Sequence, residues 1–324
     1  MIQVGVVGSS GYVAGELIRC LVHHPNVCID FLYSHSNAGM NVSEMHQDLL
    51  GHSNLKFSDQ VNPDVDVLFL CLGHGNSAKF LKNHTFSENT KVIDLSNDFR
   101  LKEKSNLQGK SFTYGLVELN KNEIKNAKYI ANPGCFATAI QLGLLPLAKH
   151  SQLKQSVHIN AITGSTGAGK SLSDTSHFSW RNNNISIYKA FRHQHLDEIN
   201  ESLHSLQPDA SELNFLPIRG NFTRGIFASI YTQSELSQEE LINLYQSFYE
   251  GNPFVFVSEK SVHLKQVVNT NNCFIQVEKI DDKVLVTSVI DNLLKGAAGQ
   301  AIQNMNLMFG LEESTGIHYK ANYL

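Results

Sequence analysis

The first 33 residues constrain the fold more than any other stretch of the chain. Gln3 to Val7 is a short apolar run of strand character, and Gly8-Ser-Ser-Gly11-Tyr-Val-Ala-Gly15 follows at once. The glycine segment leads into a stretch whose apolar positions Val13, Leu17, Cys20 and Leu21 share one helical face, ending near His24-Pro25. Val27 to Tyr33 is a second strand. A strand, a helix and a strand in this order form a parallel pair, because the helix carries the chain back to its starting edge. Val65 to Leu72 is apolar almost throughout, as a parallel strand covered on both faces should be. Lys91–Leu95 and Lys128–Ala131 add two more strands. The first part of the chain therefore reads as an open, doubly wound α/β domain of Rossmann type.

Beyond residue 135 the pattern changes. Phe136 to His150 is an apolar helical run, and Val157–Thr163, Ile226–Thr232, Cys273–Ile280 and Val284–Ile290 read as strands. Alternation of Cys273, Ile275 and Val277 with Phe274, Gln276 and Glu278 suits a sheet with one face covered, and Asp281-Asp282 makes the turn of a hairpin. Ser237 with Glu240 is a capping box that opens a helix to about Glu250. A last helix spans Gly296 to Phe309. This half is expected to be an α+β domain with a mixed, largely antiparallel sheet.

Asn132-Pro133-Gly134-Cys135 joins the halves. It places one cysteine in the first turn of the Phe136–His150 helix, where free backbone N–H groups and the helix dipole favour a thiolate. The other four cysteines, at 20, 28, 71 and 273, lie on a helix face or in strands and are expected to pack in the core. Five dispersed cysteines fit a reducing cytoplasm, and neither they nor the fifteen histidines form a metal motif. A net charge of −4 gives no electrostatic reason to expect nucleic acid or an anionic membrane as partner. No apolar run approaches the ~20 residues that span a bilayer.

Five further segments bear on the chemistry. Gly8, Gly11 and Gly15 let backbone N–H groups approach a pyrophosphate at a helix N-terminus. At the end of the second strand an acidic residue would favour NAD, but Ser34, His35 and Ser36 stand there, which favours the 2′-phosphate of NADP(H). His193-Gln-His195 offers an acid or base that titrates near neutrality. Arg100, in the loop after the fourth strand, faces the ligand crevice of such a sheet and suits an anion. Gly164 to Ser171 matches the G-x-x-x-x-G-K-[ST] pattern of a P-loop nucleotide hydrolase. The polar, turn-rich residues 171–184 behind it do not read as the helix a P-loop must open.

The chain resembles the N-acetyl-gamma-glutamyl-phosphate reductase family of arginine biosynthesis, relatives of aspartate-semialdehyde dehydrogenase. The likeness runs through Gly8–Gly15, Asp94–Arg100, Tyr114–Asn120, Asn132–Thr138, Thr163–Lys170, Arg224–Ile226, Asp291–Ala301 and Asn304–Gly310. It implies an NADP-binding domain of residues 1–134 and 296–324 around a catalytic and dimerisation domain of residues 135–295. It implies Cys135 as nucleophile, with His195, and His193 in the same motif, as acid/base. Gly8, Ser10, Gly11, Tyr12, Val13, Ser34, His35, Ser36, Gly167 and Asn292 would hold NADP(H). Ser96, Arg100 and Asn132 would hold an acyl phosphate. The reaction implied is reductive dephosphorylation through a cysteine thioester, releasing inorganic phosphate, in a cytoplasmic homodimer or homotetramer. Departures from the family pattern at His193–Ile199, Gly115–Glu118 and Arg219–Asn221 leave an N-succinyl substrate open beside an N-acetyl one.

Overall fold

The computed structural model describes residues 1–323. The chain forms two compact units, Met1–Gly134 with Ala297–His318, and Cys135–Gly296 with a segment that starts at Tyr319. Gly296 and the segment from Tyr319 thus group with the second unit, whereas the sequence expectation drew all of 296–324 into the first. The Gly296 N–H donates to the Asp291 carbonyl at 2.9 Å, which ties this glycine to the strand before it.

The first unit holds eight strands: β1 Ile2–Val7, β2 Val27–Tyr33, β3 Phe57–Ser58, β4 Val67–Leu70, β5 Lys91–Asp94, β6 Asn106–Leu107, β7 Lys110–Tyr114 and β8 Tyr129–Ala131. Their order is β3-β2-β1-β4-β5-β8-β7-β6, parallel throughout except for the β6–β7 pair. All four β4 residues are buried, and they run beside Val4–Val7 of β1. Helices α1 (Tyr12–Leu21), α2 (Val42–Met45), α3 (Asn76–Asn83) and α4 (Val117–Asn126) connect the strands. Phe80 and Leu81 of α3 join Val7, Leu68, Leu70 and Val92 in one core cluster. β7 has no apolar signature, since Phe112 alone of its five residues is buried.

In the second unit lie β9 Val157–Thr163, β10 Ser186–Ile187, β11 Leu213–Arg219, β12 Ile226–Gln233, β13 Val255–Ser258, β14 Cys273–Ile280 and β15 Lys283–Ile290. The order is β10-β11-β9-β12-β15-β14-β13, with parallel pairing only at β11–β9 and β13–β14. The hairpin expected at Asp281-Asp282 joins β14 and β15. β11 carries Pro217, an unusual strand residue, and is flanked on one side by the two-residue β10 alone. Helices α5 (Cys135–Lys149), α6 (Phe178–Arg181), α7 (His195–Leu206) and α8 (Gln238–Tyr249) complete this unit. α5 packs on α7, α8 and strands β12 and β15. It continues through Pro146, which has no N–H for the carbonyl of Leu142. The Tyr249 hydroxyl of α8 donates to that carbonyl instead, and the Tyr245 hydroxyl donates to Gly143 O at 2.5 Å.

The last helix begins differently from its expectation. Leu294–Ala298 is a π-helical turn, and α9 (Gly299–Met308) follows and packs on α1, α4 and β5 of the first unit. The cysteines also divide. Cys20 and Cys273 are buried as expected, but Cys28 is exposed and Cys71 only partly covered. Cys28 lies in the outer half of β2, where alternate residues face solvent, and Cys71 sits one residue past β4. No helix among the described residues is long and apolar enough to cross a membrane.

Candidate active site

In the second unit, Cys135 is the first residue of the 15-residue helix α5. Its neighbour Phe136 is buried and meets the rings of His193 at 5.4 Å, His195 at 6.3 Å and Phe215 at 5.2 Å. The residue next to the thiol therefore gathers both histidines. Gly296 closes another side: a Cβ there would stand 2.8 Å from the Cys135 Cβ. Only glycine permits that approach of the π-helical turn, a device common at functional sites. Asp291 holds the turn in place. Its carboxylate accepts the N–H groups of Leu293 and Leu294 at 2.8 and 3.0 Å and pairs with Arg224 at 3.1 Å.

The two histidines differ in setting. His193 Nδ1 accepts the backbone N–H of His195 at 3.2 Å, so His193 caps the start of α7. Burial, with the cations of Lys189 and Arg219 nearby, pushes the His193 pKa down to about 4. It is neutral near pH 7, with Nδ1 as acceptor and Nε2 carrying the proton. His195 is also buried, and its Nε2 lies 3.9 Å from the carboxylate of Glu198, one turn along α7.

Segment 186–193 brings in groups that sequence reasoning passed over. Ser186 and Ile187 pair with Arg219 and Ile218, Tyr188 N–H donates to Pro217 O, and Phe191 N–H donates to Phe215 O. Lys189 and Phe191 take left-handed backbone, with φ of +47° and +61°, an arrangement of the strained kind that collects at functional sites. Tyr188 lands beside the thiol. Burial pushes its hydroxyl up to about 12, negative charge on Cys135 adds to this, and the Arg219 guanidinium opposes it. That guanidinium sits 4.6 Å above the Tyr188 ring. Tyr188 has no sequence signal, because its position depends on pairing with β11, some 30 residues on.

The first unit carries the nucleotide-type features. Gly8 has φ +75°, and a Cβ there would meet the Cys71 carbonyl oxygen at 2.7 Å, so the loop after β1 is built for glycine. Gly11 precedes α1 without a side-chain cap, and Tyr12 is exposed on its first turn. Ser10 and Val13 are partly exposed in the same turn. The N–H groups of Gly8 and Ser9 both donate to Tyr33 O, which sets the loop beside Ser34, His35 and Ser36. His35 and Ser36 are exposed, and Asn37 Nδ2 donates to the hydroxyls of Ser34 and Ser36 at 2.7 and 3.2 Å. The backbone cradle thus lies beside an exposed hydroxyl (Ser36) and an exposed imidazole (His35), with Ser34 buried and no carboxylate among residues 33–37.

Arg100, Ser96 and Asn132 also converge in this unit. Arg100 is buried, and its Nε donates to Asn132 O at 2.8 Å while Nη2 donates to Leu95 O at 3.2 Å. Ser96 Oγ donates to the Asp94 carboxylate at 2.7 Å and accepts the Asp98 N–H at 3.1 Å. Burial raises the Asp94 pKa to about 6. Asn132 Nδ2 donates to Ala297 O at 3.2 Å, and its Oδ1 accepts from Asn304 at 3.1 Å.

Gly167 and Asn292 meet within the second unit. Gly167 lies in the 3₁₀ turn Ser165–Ala168, and Asn292 Nδ2 donates to the Thr166 hydroxyl at 3.0 Å. Asn292 Oδ1 accepts the Gly225 N–H at 2.7 Å. Lys170 and Ser171, the end of the P-loop-like pattern, are exposed and open no helix; the next α-helix, α6, has four residues. The geometry of a phosphate-binding P-loop is therefore missing, although the pattern is complete. Among the described residues no group of three or more His, Cys, Asp or Glu is placed to hold a metal ion.

Comparison with known proteins follows this division of the chain. Residues 3–127 match the family model for the semialdehyde dehydrogenase NAD binding domain, and residues 135–292 match that for the semialdehyde dehydrogenase dimerisation domain. The chain is 62% identical over 321 residues to the N-acetyl-gamma-glutamyl-phosphate reductase of Flavobacterium johnsoniae, covering 99% of each. It is 56% identical over 324 residues to that of Christiangramia forsetii, covering 100% of each. Among solved structures, aspartate semialdehyde dehydrogenase II of Vibrio cholerae superposes with a TM-score of 0.74 at 15% identity, over 96% of this chain and 98% of that one. Aspartate semialdehyde dehydrogenase of Candida albicans, solved with NADP, gives 0.67 at 12% identity, over 95% and 98%. At such low identity the structural likeness speaks for the fold.

Proposed function

The chain belongs to the N-acetyl-gamma-glutamyl-phosphate reductases of the semialdehyde dehydrogenase family, and from that membership we infer its reaction. It is an oxidoreductase of arginine biosynthesis that converts N-acetyl-glutamyl 5-phosphate to N-acetyl-glutamate 5-semialdehyde with release of phosphate. The observation that carries the chemistry is Cys135 at the N-terminus of α5, one residue before the ring that gathers His193 and His195.

The N-terminal dipole of α5 favours negative charge on the Cys135 sulfur. The thiolate adds to the acyl carbon, the C–O bond to phosphate breaks, and a thioester remains on Cys135. NADPH, held by the glycine loop after β1, would supply the hydride that reduces this thioester. The resulting thiohemiacetal on Cys135 collapses, which releases the aldehyde and returns the thiolate. His195, with Glu198 to orient its ring, is the acid/base that moves the proton to and from the substrate oxygen. Such a group contributes roughly 10²–10⁴-fold. His193, neutral and spent on the His195 N–H, serves as a positioning residue.

For the cofactor we assign Gly8, Ser10, Gly11, Tyr12 and Val13 to the pyrophosphate side, and Ser34, His35 and Ser36 to the 2′-phosphate of NADP(H). Gly167 and Asn292 of the second unit are the remaining candidates. Ser96, Arg100 and Asn132 are assigned to the acyl phosphate. The match to a dimerisation domain supports a homo-oligomer, which we assign as a dimer or tetramer; the five dispersed cysteines support a reducing cytoplasm as its place of work.

The test runs the reaction backwards. Wild-type protein should reduce NADP with N-acetylglutamate 5-semialdehyde only when phosphate is present, and should reduce NAD far less well. Cys135→Ser should lose turnover by at least about 10³-fold while still binding NADPH, because an alcohol is a far weaker nucleophile than a thiolate. Near-normal turnover in that variant would end the thioester reading.

A further inference from the structure

Arg219 stands out among the groups around Cys135. Its backbone is fixed on three sides at the end of β11. It pairs with Thr163 of β9 and Ser186 of β10, and its carbonyl accepts from Arg181 Nη1 at 2.8 Å. The side chain is therefore delivered to one place, over the Tyr188 ring at 4.6 Å. Tyr188 senses both the Arg219 cation and the Cys135 charge, so guanidinium, phenol and thiol share one locality of the second unit.

The guanidinium hydrogen-bonds the Tyr188 hydroxyl, but its Nε lacks an acceptor. Among the described residues no carboxylate pairs with it, and its Nε, shut off from solvent, has no hydrogen-bond partner. The other arginines of this unit that are held in place are already employed. Arg224 pairs with Asp291, and Arg181 donates to Thr175 O, Asn184 O, Arg219 O and Ser186 Oγ. Lys189, like Arg219, places positive charge beside His193. A buried N–H donor on a cation, left without an acceptor, costs free energy unless a ligand supplies one. The planar fork of arginine is matched by a carboxylate.

We propose that Arg219 is a specificity residue that receives a carboxylate of the substrate beside Cys135. The inference rests on the acyl-phosphate reading above for the identity of that substrate. Two carboxylates have the right chemistry: the α-carboxylate of the glutamyl moiety, and the distal carboxylate of a dicarboxylic N-acyl group such as succinyl.

The test compares wild type, Arg219→Leu and Arg219→Lys on N-acetyl- and N-succinyl-glutamate 5-semialdehyde. Arg219→Leu should raise the KM for the semialdehyde roughly 10- to 100-fold, as loss of a charged hydrogen bond would, with kcat within a few-fold. KM for phosphate and for NADP should stay unchanged, and Arg219→Lys should recover part of the loss. Equal losses on both substrates assign the α-carboxylate; a loss confined to the succinyl compound assigns the distal one. An unchanged KM on both substrates, or a fall in kcat alone, overturns the proposal. A wild type that turns over neither substrate sinks the reaction assigned above, and alkylation of Cys135 then decides on Arg219. Iodoacetate carries a carboxylate and iodoacetamide does not, so Arg219→Leu should lower the ratio of their rates roughly tenfold; an unchanged ratio overturns the proposal.

Discussion

At the scale of single residues, His193 holds the clearest energetic consequence. Its pKa falls from 6.5 to about 4, chiefly through burial. The unfolded chain takes up a proton on this ring near pH 6.5, while the folded chain resists until about 4. The stability this burial confers is present above pH 6.5 and is lost as pH falls toward 4, by up to about 3 kcal/mol. Asp94 runs the other way. Its pKa rises from 3.8 to about 6, so its contribution is complete below 3.8 and is lost as pH rises through 6. The two windows overlap, and a pH profile of the wild type alone would mix them. Urea unfolding of wild type and His193→Gln at several pH values separates them. The stability gap between the two should narrow by about 1–3 kcal/mol from pH 7 to pH 4.5. A constant gap would show that His193 is not held neutral by its surroundings. Cys135 was legible because strand, Pro-Gly and helix signals surround it in sequence, and the histidine pair because two imidazoles stand at a helix start. Tyr188 and the unsatisfied Nε of Arg219 were not, since both arise where a two-residue strand meets β11.

At the scale of elements, α5 shows how a broken rule is compensated. Pro146 removes one helical hydrogen bond and crowds the carbonyl of residue 142. Two carbonyls of the preceding turn, on Leu142 and Gly143, find donors in Tyr249 and Tyr245 of α8, and Tyr245 is fully buried. Tyr249→Phe leaves a buried carbonyl without its donor while keeping the ring. It should cost about 1–3 kcal/mol in urea unfolding, with the same denaturant dependence. A neutral substitution would mean that the kink is satisfied in some other way. The helices themselves read well from sequence, with α5 from its apolar run and α8 from the Ser237–Glu240 capping box, which the structure forms. The π-helical turn Leu294–Ala298 did not, because its residues also satisfy ordinary helical spacing. What widens it lies elsewhere, in the Asp291 carboxylate that Arg224 holds and in Gly296 pressed toward Cys135.

At the scale of the whole molecule, the chain leaves its first unit at Gly134 and returns to it at Ala297. The parallel order around β1 was readable from its strand–helix–strand beginnings. The return was not, because nothing in the composition of α9 says which sheet it will cover; only the family resemblance implied it. The consequence is a first unit that cannot be completed by residues 1–134. In α9, Ile302 and Met305 are fully buried, and Leu307 and Met308 are at most 5% exposed. Burial of four such side chains is worth about 1.5–3 kcal/mol each, comparable with the ~5–15 kcal/mol stability of a domain. Polar ties are lost with them. Asn304 donates to Gly115 O at 2.9 Å and to Asn132, and Glu313 pairs with Lys121 while accepting from Gln303 at 2.8 Å. A fragment ending at Gly134 should therefore lack a cooperative urea transition and show poor chemical-shift dispersion. Joining residues 297–318 to its C-terminus should restore both. The joint is short, because Asn132 Nδ2 lies 3.2 Å from Ala297 O, so a few glycines span it. Cooperative unfolding of the 1–134 fragment alone would show that α9 is an accessory to that sheet rather than part of its core.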